Sequence, residues 1–349
     1  MTRARCAGVP SRLRTEVLLD DEQRLIQARV SLTQQIDRGS VVLSSQLAGA
    51  FLNVPRHPFV PVFYRREGER FIPWRSTDGD AEAWLDAVYT DDSLITEVDG
   101  VHAEQADPGG VTGVPTSSST APSLMADMLD ALDVKEGDEV YEAGAGSGYN
   151  AAMLCHLAGD KHVTTVDRSD TLTALARERL NGIGFDPLVI HGDGARDVPP
   201  DAMYDRIIAT ASVRRVPPLW LERCRIGGIL VAPLKGTLAG GMIARLTKLP
   251  DGTAVGRILH TPAAFMPLKT GTEVEVRYPR FPTAPPVKPR SPAVCWMTGR
   301  SRSSPSSTCL TVSSARTAGA TTVCTSRRCT TLRAAQPLVS RTCLRGLRW

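Results

Sequence analysis

The sequence lacks the features that mark membrane-spanning, secreted and metal-binding proteins. It contains no run of about eighteen apolar residues, the length that a transmembrane helix requires. Its basic N-terminus lacks the apolar core of a signal peptide. Its six histidines show no metal-ligand spacing, and the five cysteines after residue 290 contain no C-x-x-C pair. We therefore predict a cytoplasmic protein with no membrane partner and no metal site.

Acidic residues are absent after Glu275, and the chain changes character there. Residues 276–349 contain one lysine and twelve arginines and carry a charge of +13. The first 275 residues hold 28 basic and 37 acidic groups, a charge of −9, so the net charge of +4 describes neither part. Residues 283–349 are rich in Ser, Thr and Arg with few large apolar side chains, and we predict that they form a disordered tail.

Two interpretations of this basic tail stand beside each other. Its arginines could neutralise the phosphates of a nucleic acid. However, the tail shows neither interleaved aromatic residues nor periodicity, and we predict no nucleic-acid partner. Its composition instead resembles out-of-frame translation of a GC-rich coding sequence, in which Arg, Ser, Thr, Ala and Cys accumulate.

The first 115 residues are predicted to precede the main domain. Residues 1–20 are expected to be disordered, and residues 21–115 to form a helical and irregular extension. Apolar periodicity predicts helices around residues 25–36 and 41–52. The segment 64–115 is polar, acidic and interrupted by Gly and Pro, so we expect an irregular path with short strands.

Strands and helices alternate in residues 116–282, the predicted main domain. The predicted strands lie at residues 139–143, 162–166, 188–191, 206–210 and 229–233. This rhythm predicts an α/β, Rossmann-like fold with a mostly parallel sheet covered by helices on both faces. A turn at Pro250-Asp251-Gly252 predicts an antiparallel hairpin near the C-terminal edge of the domain.

A glycine-rich loop, EAGAGSG at residues 142–148, follows the first of these strands. Glycines let a ligand approach the backbone, and the following helix offers N–H donors, although a bare strand–helix turn looks the same. An acidic residue follows each of the next two strands. Asp167 lies where it can bind the hydroxyls of a ribose, and Asp193 lies where it could accept a hydrogen bond from an adenine amino group. The residues predicted to bind a nucleoside are Glu142, Gly144, Gly146, Gly148, Asp167, Asp193 and Gly194.

The loop does not fit a dinucleotide. Tyr149 occupies the position at which the dinucleotide fingerprint requires its third glycine, and no GK[ST] triplet offers to hold phosphates. The negative charge of Glu142 would repel a pyrophosphate, but it would attract the cationic amino group of an amino acid ligand. S-adenosyl-L-methionine fits these residues, with its ribose on Asp167, its adenine near Asp193 and its methionine portion against the loop.

Eight segments of the chain resemble the protein-L-isoaspartate O-methyltransferase family, in the family's order. They are VPRHPFVP, VYTDDSLIT, SSSTAPSLMADML, VYEAGAGSGYNAAML, TTVDRS, HGDGA, YDRIIATAS and RIGGILVAPL. Several of them, SSSTAPSLMADML above all, resemble more closely the actinobacterial members that modify ribosomally made peptides. The resemblance implies a class I methyltransferase fold.

The resemblance also implies the activity: S-adenosyl-L-methionine-dependent methylation of the carboxylate of L-isoaspartyl or aspartyl residues in a protein or peptide substrate. The methyl ester then loses methanol to the neighbouring backbone nitrogen and forms a succinimide, which leads to repair of the damaged site. Two alternatives stand. One is tailoring of a dedicated ribosomally made precursor peptide, and the other is a non-catalytic, nucleoside-binding interaction protein.

The family places a catalytic hydroxyl in a Thr-Ile-Ser motif shortly before a proline. Aligning that proline with Pro122 puts the hydroxyl at Thr120, with Ser119 beside it. Thr120 thus replaces the usual serine; its hydroxyl can still donate to a carboxylate, but its methyl group narrows the pocket. The alternative interpretation of these hydroxyls is an N-cap of the following helix.

Overall fold

The computed structural model describes residues 11–37, 42–236 and 241–269, together with three short strands between residues 309 and 332. Within these ranges two sheets form the framework, one antiparallel and one mixed. None of the helices in these ranges is long and apolar enough to cross a membrane.

Two helices open the described chain, α1 (Ser11–Asp37) and α2 (Ser45–Asn53). The α1 helix begins ten residues before the predicted boundary, because no glycine or proline interrupts the chain between Ser11 and its end. The structure thus differs from the predicted disorder at residues 11–20, whereas residues 1–10 lie outside the described residues. The α2 helix is capped by Ser44, whose hydroxyl accepts from the backbone N–H of Leu47 at 3.2 Å.

The segment predicted to follow an irregular path with short strands does contain short strands, but these pair into an antiparallel sheet and the segment also contains a helix. Its elements are β1 (Val62–Glu67), β2 (Arg70–Arg75), α3 (Ala81–Val88), β3 (Leu94–Val98), β4 (Val101–His102) and β5 (Pro115–Ser119). The strand order is β2-β1-β3-β4, with β5 also paired to β3. Asp80 starts α3 by accepting hydrogen bonds from two backbone N–H groups, and a small core of its own holds the sheet together.

The main domain follows the predicted alternation. Its elements are α4 (Pro122–Leu132), β6 (Val140–Ala143), α5 (Tyr149–Ala158), β7 (Val163–Asp167), α6 (Asp170–Gly182), β8 (Leu188–His191), β9 (Tyr204–Ala209), α7 (Pro218–Arg223), β10 (Cys224–Lys235), β11 (Gly241–Lys248) and β12 (Ala254–Pro262). Short 3-10 turns lie at His57–Phe59, Ala103–Gln105 and Asp160–His162. Strands β10, β9, β6, β7 and β8 are parallel neighbours in that order. Strands β11 and β12 add the predicted antiparallel hairpin, so the α/β prediction is confirmed.

Alternating side chains of the central strands supply two cores on opposite faces of this sheet. Val140 and Ile208 belong to the core that α1, α2, α4 and α5 cover. Tyr141 and Ile207 belong to the second core, which α7 covers through Trp220. This period of two is what a strand covered on both faces requires. The carboxyl ends of β6 and β7 are thereby held rigidly at one edge of the sheet.

The mixed sheet continues beyond β12 with β13 (Cys309–Val312), β14 (Thr321–Thr325) and β15 (Arg328–Leu332), each antiparallel to its neighbour. These strands lie within the stretch predicted to be disordered, so the structure differs from that prediction there. Thr and Val favour strands, and β12 offers the backbone groups of a sheet edge. The rest of the tail lies outside the described residues.

Candidate active site

A cavity of about 430 Å³ lies at the carboxyl ends of β6 and β7, between the two sheets. Four segments form most of its wall: strand β5 with Thr120, the glycine loop 144–147, the end of β7 and residues 264–269. In open α/β sheets, ligands bind outside the carboxyl ends of the strands. The cavity therefore lies where the fold is expected to place a ligand, and it joins the predicted nucleoside residues to the predicted catalytic hydroxyls.

The glycine loop has a backbone that only glycine adopts readily. Gly144, Gly146 and Gly148 have φ angles of +107°, +52° and +90°. A Cβ on Gly144 would lie 2.6 Å from Oγ1 of Thr210, so a side chain there would displace that hydroxyl. Gly144 and Gly146 line the cavity, whereas Gly148 lies behind it and starts α5.

Asp167 lies at the end of β7 on the cavity wall, as predicted. Its Oδ2 atom accepts a hydrogen bond from the backbone N–H of Gly146 at 3.0 Å, and its Oδ1 atom accepts one from Ser169 at 3.0 Å. Each carboxylate oxygen can accept a further bond. Asp167 therefore holds the glycine loop in place and keeps acceptor capacity for the two hydroxyls of a ribose.

Glu142 does not lie where the sequence analysis expects it. Its side chain is fully buried behind the loop and is not among the residues that line the cavity. It accepts hydrogen bonds from Nδ2 of Asn150 at 2.7 Å and from Oγ1 of Thr165 at 2.6 Å. Burial raises the pKa of Glu142 to about 7. In the structure this carboxylate contacts Asn150, and its contact with a cationic amino acid group stays a prediction.

Asn150 is a site residue that the sequence analysis missed. It lines the cavity and is buried, and its Oδ1 atom has no hydrogen-bond partner among the described residues. Because Nδ2 donates to Glu142, the amide is oriented and Oδ1 is the atom left for another donor. The available signal was its place directly after the glycine loop, in the first turn of α5.

The third strand-end acid, Asp193, is not among the cavity-lining residues, but its neighbour Gly194 is. Oδ1 of Asp193 accepts from the backbone N–H of Ala195 at 2.9 Å, and Oδ2 lies 3.8 Å from Nε of Arg196. The backbone carbonyl of Gly194 accepts two hydrogen bonds from buried side chains of the second core. A contact between Asp193 and adenine stays a prediction.

Ser119 and Thr120 both line the cavity, where β5 ends. The Ser119 hydroxyl is buried and has no hydrogen-bond partner among the described residues. The N-cap interpretation of these hydroxyls is wrong, because the cap of α4 is Ala121 and no side chain caps the helix there. A side chain from a distant loop instead binds the first turn of α4, because Oδ1 of Asp91 accepts a hydrogen bond from the backbone N–H of Ser123 at 2.7 Å.

A buried arginine that sequence reasoning did not single out holds this end of β5. Arg56 is fully buried, and its guanidinium donates to the Thr120 carbonyl at 3.2 Å. It also donates to three backbone carbonyls between the end of α3 and the start of β3, those of Val88, Thr90 and Asp92. Burial lowers the pKa of Arg56 to about 10. The motif VPRHPFVP was the available signal, but the sequence did not say what its arginine binds.

A second buried arginine ties the N-terminal extension to the glycine loop. Arg179 of α6 donates to the Phe59 carbonyl at 3.0 Å and to the Ser147 carbonyl at 3.1 Å. It also forms an ion pair with Glu104. Through Phe59 and Glu104, the described part of the extension is thus tied to the site.

The chain was compared with known proteins. The family model described as Protein-L-isoaspartate(D-aspartate) O-methyltransferase matches residues 101–273. The chain is 40% identical to the protein-L-isoaspartate O-methyltransferase of Ignicoccus hospitalis, over 43% of this chain and 71% of that protein. It is 32% identical to that of Methanopyrus kandleri, over 72% of this chain and 95% of that protein.

A solved structure of a protein-L-isoaspartate O-methyltransferase superposes with a TM-score of 0.53 at 24% identity, covering 69% of this chain and 66% of that one. At this identity the likeness shows a shared fold. Together with the nearly full-length match to the Methanopyrus kandleri protein, these findings confirm the family and the fold class that the motifs predict. The chain therefore belongs to the protein-L-isoaspartate O-methyltransferase family, a family of S-adenosyl-L-methionine-dependent enzymes.

Proposed function

We propose that this methyltransferase esterifies the carboxylate of L-isoaspartyl residues in unrelated proteins, and that the ester leads through a succinimide to repair of the damaged site. One observation carries the proposal: a single cavity is lined by Asp167 and the glycine loop on one side and by the hydroxyls of Ser119 and Thr120 on the other. A nucleoside and a carboxylate can therefore be held side by side.

The residues of the loop side fit S-adenosyl-L-methionine. When bound, this cofactor supplies an electrophilic methyl group. Asp167 has acceptor capacity for the ribose hydroxyls, and Oδ1 of Asn150 is a buried acceptor suited to the cationic amino group of the methionine portion. Glu142 orients Asn150 from behind. Gly194 also lines the cavity, and its backbone packs closely against Ala143 at the end of β6.

The residues of the hydroxyl side fit a carboxylate acceptor. A carboxylate is already ionised near neutral pH, so the site needs no strong base. The Thr120 hydroxyl would donate a hydrogen bond that holds the reacting group, and the buried Ser119 hydroxyl would gain the acceptor that it lacks. Arg168 and Lys269 line the same cavity and form no ion pair among the described residues, so they favour an anionic substrate.

Apolar side chains complete the wall and limit the access of water. Leu124, Met125 and Met128 of α4 and Leu172 of α6 line the cavity together with Phe265. Excluding water strengthens the interactions of the charged groups inside and protects a reactive ester. The free, buried thiols of Cys155 and Cys224 are consistent with the reducing cytoplasm that we propose as the location.

A second candidate function is tailoring of one dedicated precursor peptide. Threonine in place of serine at residue 120, within a segment that resembles peptide-modifying members, favours it. A repair enzyme should accept isoaspartyl peptides of unrelated sequence and ignore their aspartyl counterparts. A tailoring enzyme should require its cognate peptide.

Transfer of a radiolabelled methyl group to matched isoaspartyl and aspartyl peptides tests the proposal. We expect base-labile label in every isoaspartyl peptide and background label in every aspartyl one. Label in a single cognate precursor alone would contradict general repair. Calorimetry measures the binding of S-adenosylhomocysteine and serves as the control for the cofactor site. If the chain binds this nucleoside but transfers no methyl group to any peptide, it would be a nucleoside-binding interaction protein.

A further inference from the structure

We propose that Glu97 makes the site select isoaspartyl peptides that carry a lysine or arginine within three residues of the isoaspartyl residue. The inference rests on the proposed function, since it concerns the substrate of the same cavity. Glu97 belongs to β3 and lines the cavity near Thr116, Ser117 and Gly100.

The carboxylate of Glu97 is buried, and no cation among the described residues pairs with it. The residue is 7% exposed, and its Oε1 atom accepts a hydrogen bond from Oγ1 of Thr116 at 2.6 Å. No ion pair of Glu97 exists within the part of the chain that the structure describes. A buried charge is costly unless it is paired, and a single hydroxyl compensates it only partly. A cationic group entering the cavity would complete the pairing.

The backbone around Glu97 departs from regular pairing. Ile95 lies opposite Ser118 and Glu97 lies opposite Ser117, so Thr96 is an extra residue on β3. Bulges of this kind interrupt the alternation of side chains and are common beside active sites. The Thr96 hydroxyl donates to Oγ of Ser117 at 3.1 Å, while Glu97 reaches the cavity. The bulge thus lets two consecutive side chains be buried, one for structure and one on the cavity wall.

The position of Glu97 sets how far the cation lies from the reacting carboxylate. Ser117, opposite Glu97, precedes Ser119 by two residues and Thr120 by three. At the rise of a strand these separations are about 7 and 10 Å. An extended peptide covers the same distance in two to three residues. A basic side chain within three residues of the isoaspartyl residue can therefore reach Glu97 while the isoaspartyl carboxylate lies at the hydroxyls.

The other charged side chains of the cavity support this arrangement. Arg168 and Lys269 suit the reacting carboxylate, whereas Asp167 is held by the glycine loop. Glu97 is then the anionic group on the substrate side, and it should repel an acidic neighbour of the isoaspartyl residue. Charge complementarity of this kind acts mainly on specificity.

The test uses a set of peptides built on one isoaspartyl sequence. In this set, each position within three residues of the isoaspartyl residue is occupied in turn by Lys, norleucine or Glu. Norleucine keeps the aliphatic stem of lysine and removes its charge. The values of kcat/KM are measured with the full chain, with Glu97→Gln and with Glu136→Gln. Glu136 is an exposed acid away from the cavity and serves as the matched control. Glutamine at residue 97 keeps an oxygen that can accept from Thr116, so the local fold is preserved.

We expect the unmodified chain to prefer the Lys peptide over the norleucine peptide by about tenfold at one or more positions. The Glu97→Gln variant should lose this preference, and Glu136→Gln should keep it. Because the readout is a ratio of two peptides on one variant, a general loss of activity cancels. No preference in the unmodified chain, or an unchanged preference in Glu97→Gln, would overturn the proposal.

The same peptides also distinguish this proposal from the proposed function. Their affinities are measured by fluorescence polarisation with S-adenosylhomocysteine present, which requires no methyl transfer. A Lys preference that Glu97→Gln abolishes would support the role of Glu97 even if no peptide were esterified, and absent esterification would count against the proposed function alone.

Discussion

At the scale of single residues, two neighbours on the cavity wall differ, because Ser119 is buried and Thr120 is half-buried. The Ser119 hydroxyl is buried without a partner among the described residues, whereas the backbone carbonyl of Thr120 is fixed by Arg56. Buried polar groups are normally bonded, and exceptions mark functional positions. The alignment of Pro122 with the family's proline allowed both residues to be predicted from the sequence, but not that the Ser119 hydroxyl is buried without a partner among the described residues.

Thr120→Val should lower kcat/KM for an isoaspartyl peptide by about 100-fold, the scale expected on removing one donor that holds the reacting group. The shape is preserved, so the affinity for S-adenosylhomocysteine should stay near that of the unmodified chain. Thr120→Ser keeps the hydroxyl and serves as the control, with activity retained. An unchanged rate in Thr120→Val would remove Thr120 from the reaction.

Ser119→Ala should stabilise the ligand-free protein while it slows methylation. An unbonded buried hydroxyl costs about 1–3 kcal/mol, so its removal should raise the free energy of unfolding by about 1 kcal/mol. Ser117→Ala is the matched control on the same strand, because the Ser117 hydroxyl accepts a bond from Thr96. That variant should be destabilised by about 1 kcal/mol. Chemical denaturation measures both values; destabilisation by Ser119→Ala would show that Ser119 has a partner.

Glu142→Gln should change the pH dependence of stability. Burial raises the pKa of Glu142 in the folded state from 4.5 to about 7. Between these two pH values the folded chain therefore binds a proton at Glu142 more tightly than the unfolded chain does. Its contribution to the free energy of unfolding therefore falls as pH rises from about 4.5 to 7, by up to about 3 kcal/mol. Glutamine does not titrate.

The difference in the free energy of unfolding, Glu142→Gln minus unmodified chain, should accordingly rise across that window. Taking this difference cancels other titrating groups, such as His57 and His102, whose pKa values burial lowers to about 4. Denaturation at several pH values measures it. A difference independent of pH would mean that Glu142 does not titrate there.

The glycine loop and the strand ends were predictable at the scale of elements, and the antiparallel sheet was not. Strands β6 (VYEA), β7 (VTTVD) and β9 (YDRIIA) are short segments rich in β-branched, aromatic and small residues between turn residues, the composition of strands in a sheet covered on both faces. Strand β1 instead has three buried residues followed by three exposed ones, so no alternation reveals it. The partners of Arg56 are backbone carbonyls at the end of α3, in the loop after it and after β5, and no spacing in the sequence encodes them.

Arg56→Met should destabilise the fold by about 3 kcal/mol, because it leaves buried carbonyls without donors. It should also lower kcat more than it raises KM, since the end of β5 loses its support at Thr120. Arg70→Met is the matched control. Arg70 likewise donates to backbone carbonyls, those of Gly109 and Gly110, but it is exposed. Its loss should cost less than about 1 kcal/mol, and equal effects of the two variants would contradict the assigned role of Arg56.

The whole molecule joins an acidic enzyme to a basic stretch. The cavity lining found among the described residues runs from Ser93 to Lys269, inside the part that carries a charge of −9. The antiparallel sheet and the mixed sheet meet at this cavity, and Arg179 connects the extension to the glycine loop across the gap. The described residues of the extension that precede Thr116 therefore belong to the functional unit.

The central claim is that this cavity esterifies isoaspartyl carboxylates. Mass spectrometry of one isoaspartyl peptide, incubated with the enzyme and S-adenosyl-L-methionine, tests it most directly. We expect a peptide that first gains one methyl group, then loses methanol to form a succinimide, and finally yields the aspartyl peptide on hydrolysis, with every step after mixing strongly slowed in Thr120→Val. A methyl group that appears on the matched aspartyl peptide at the same rate, or on neither peptide, would contradict it.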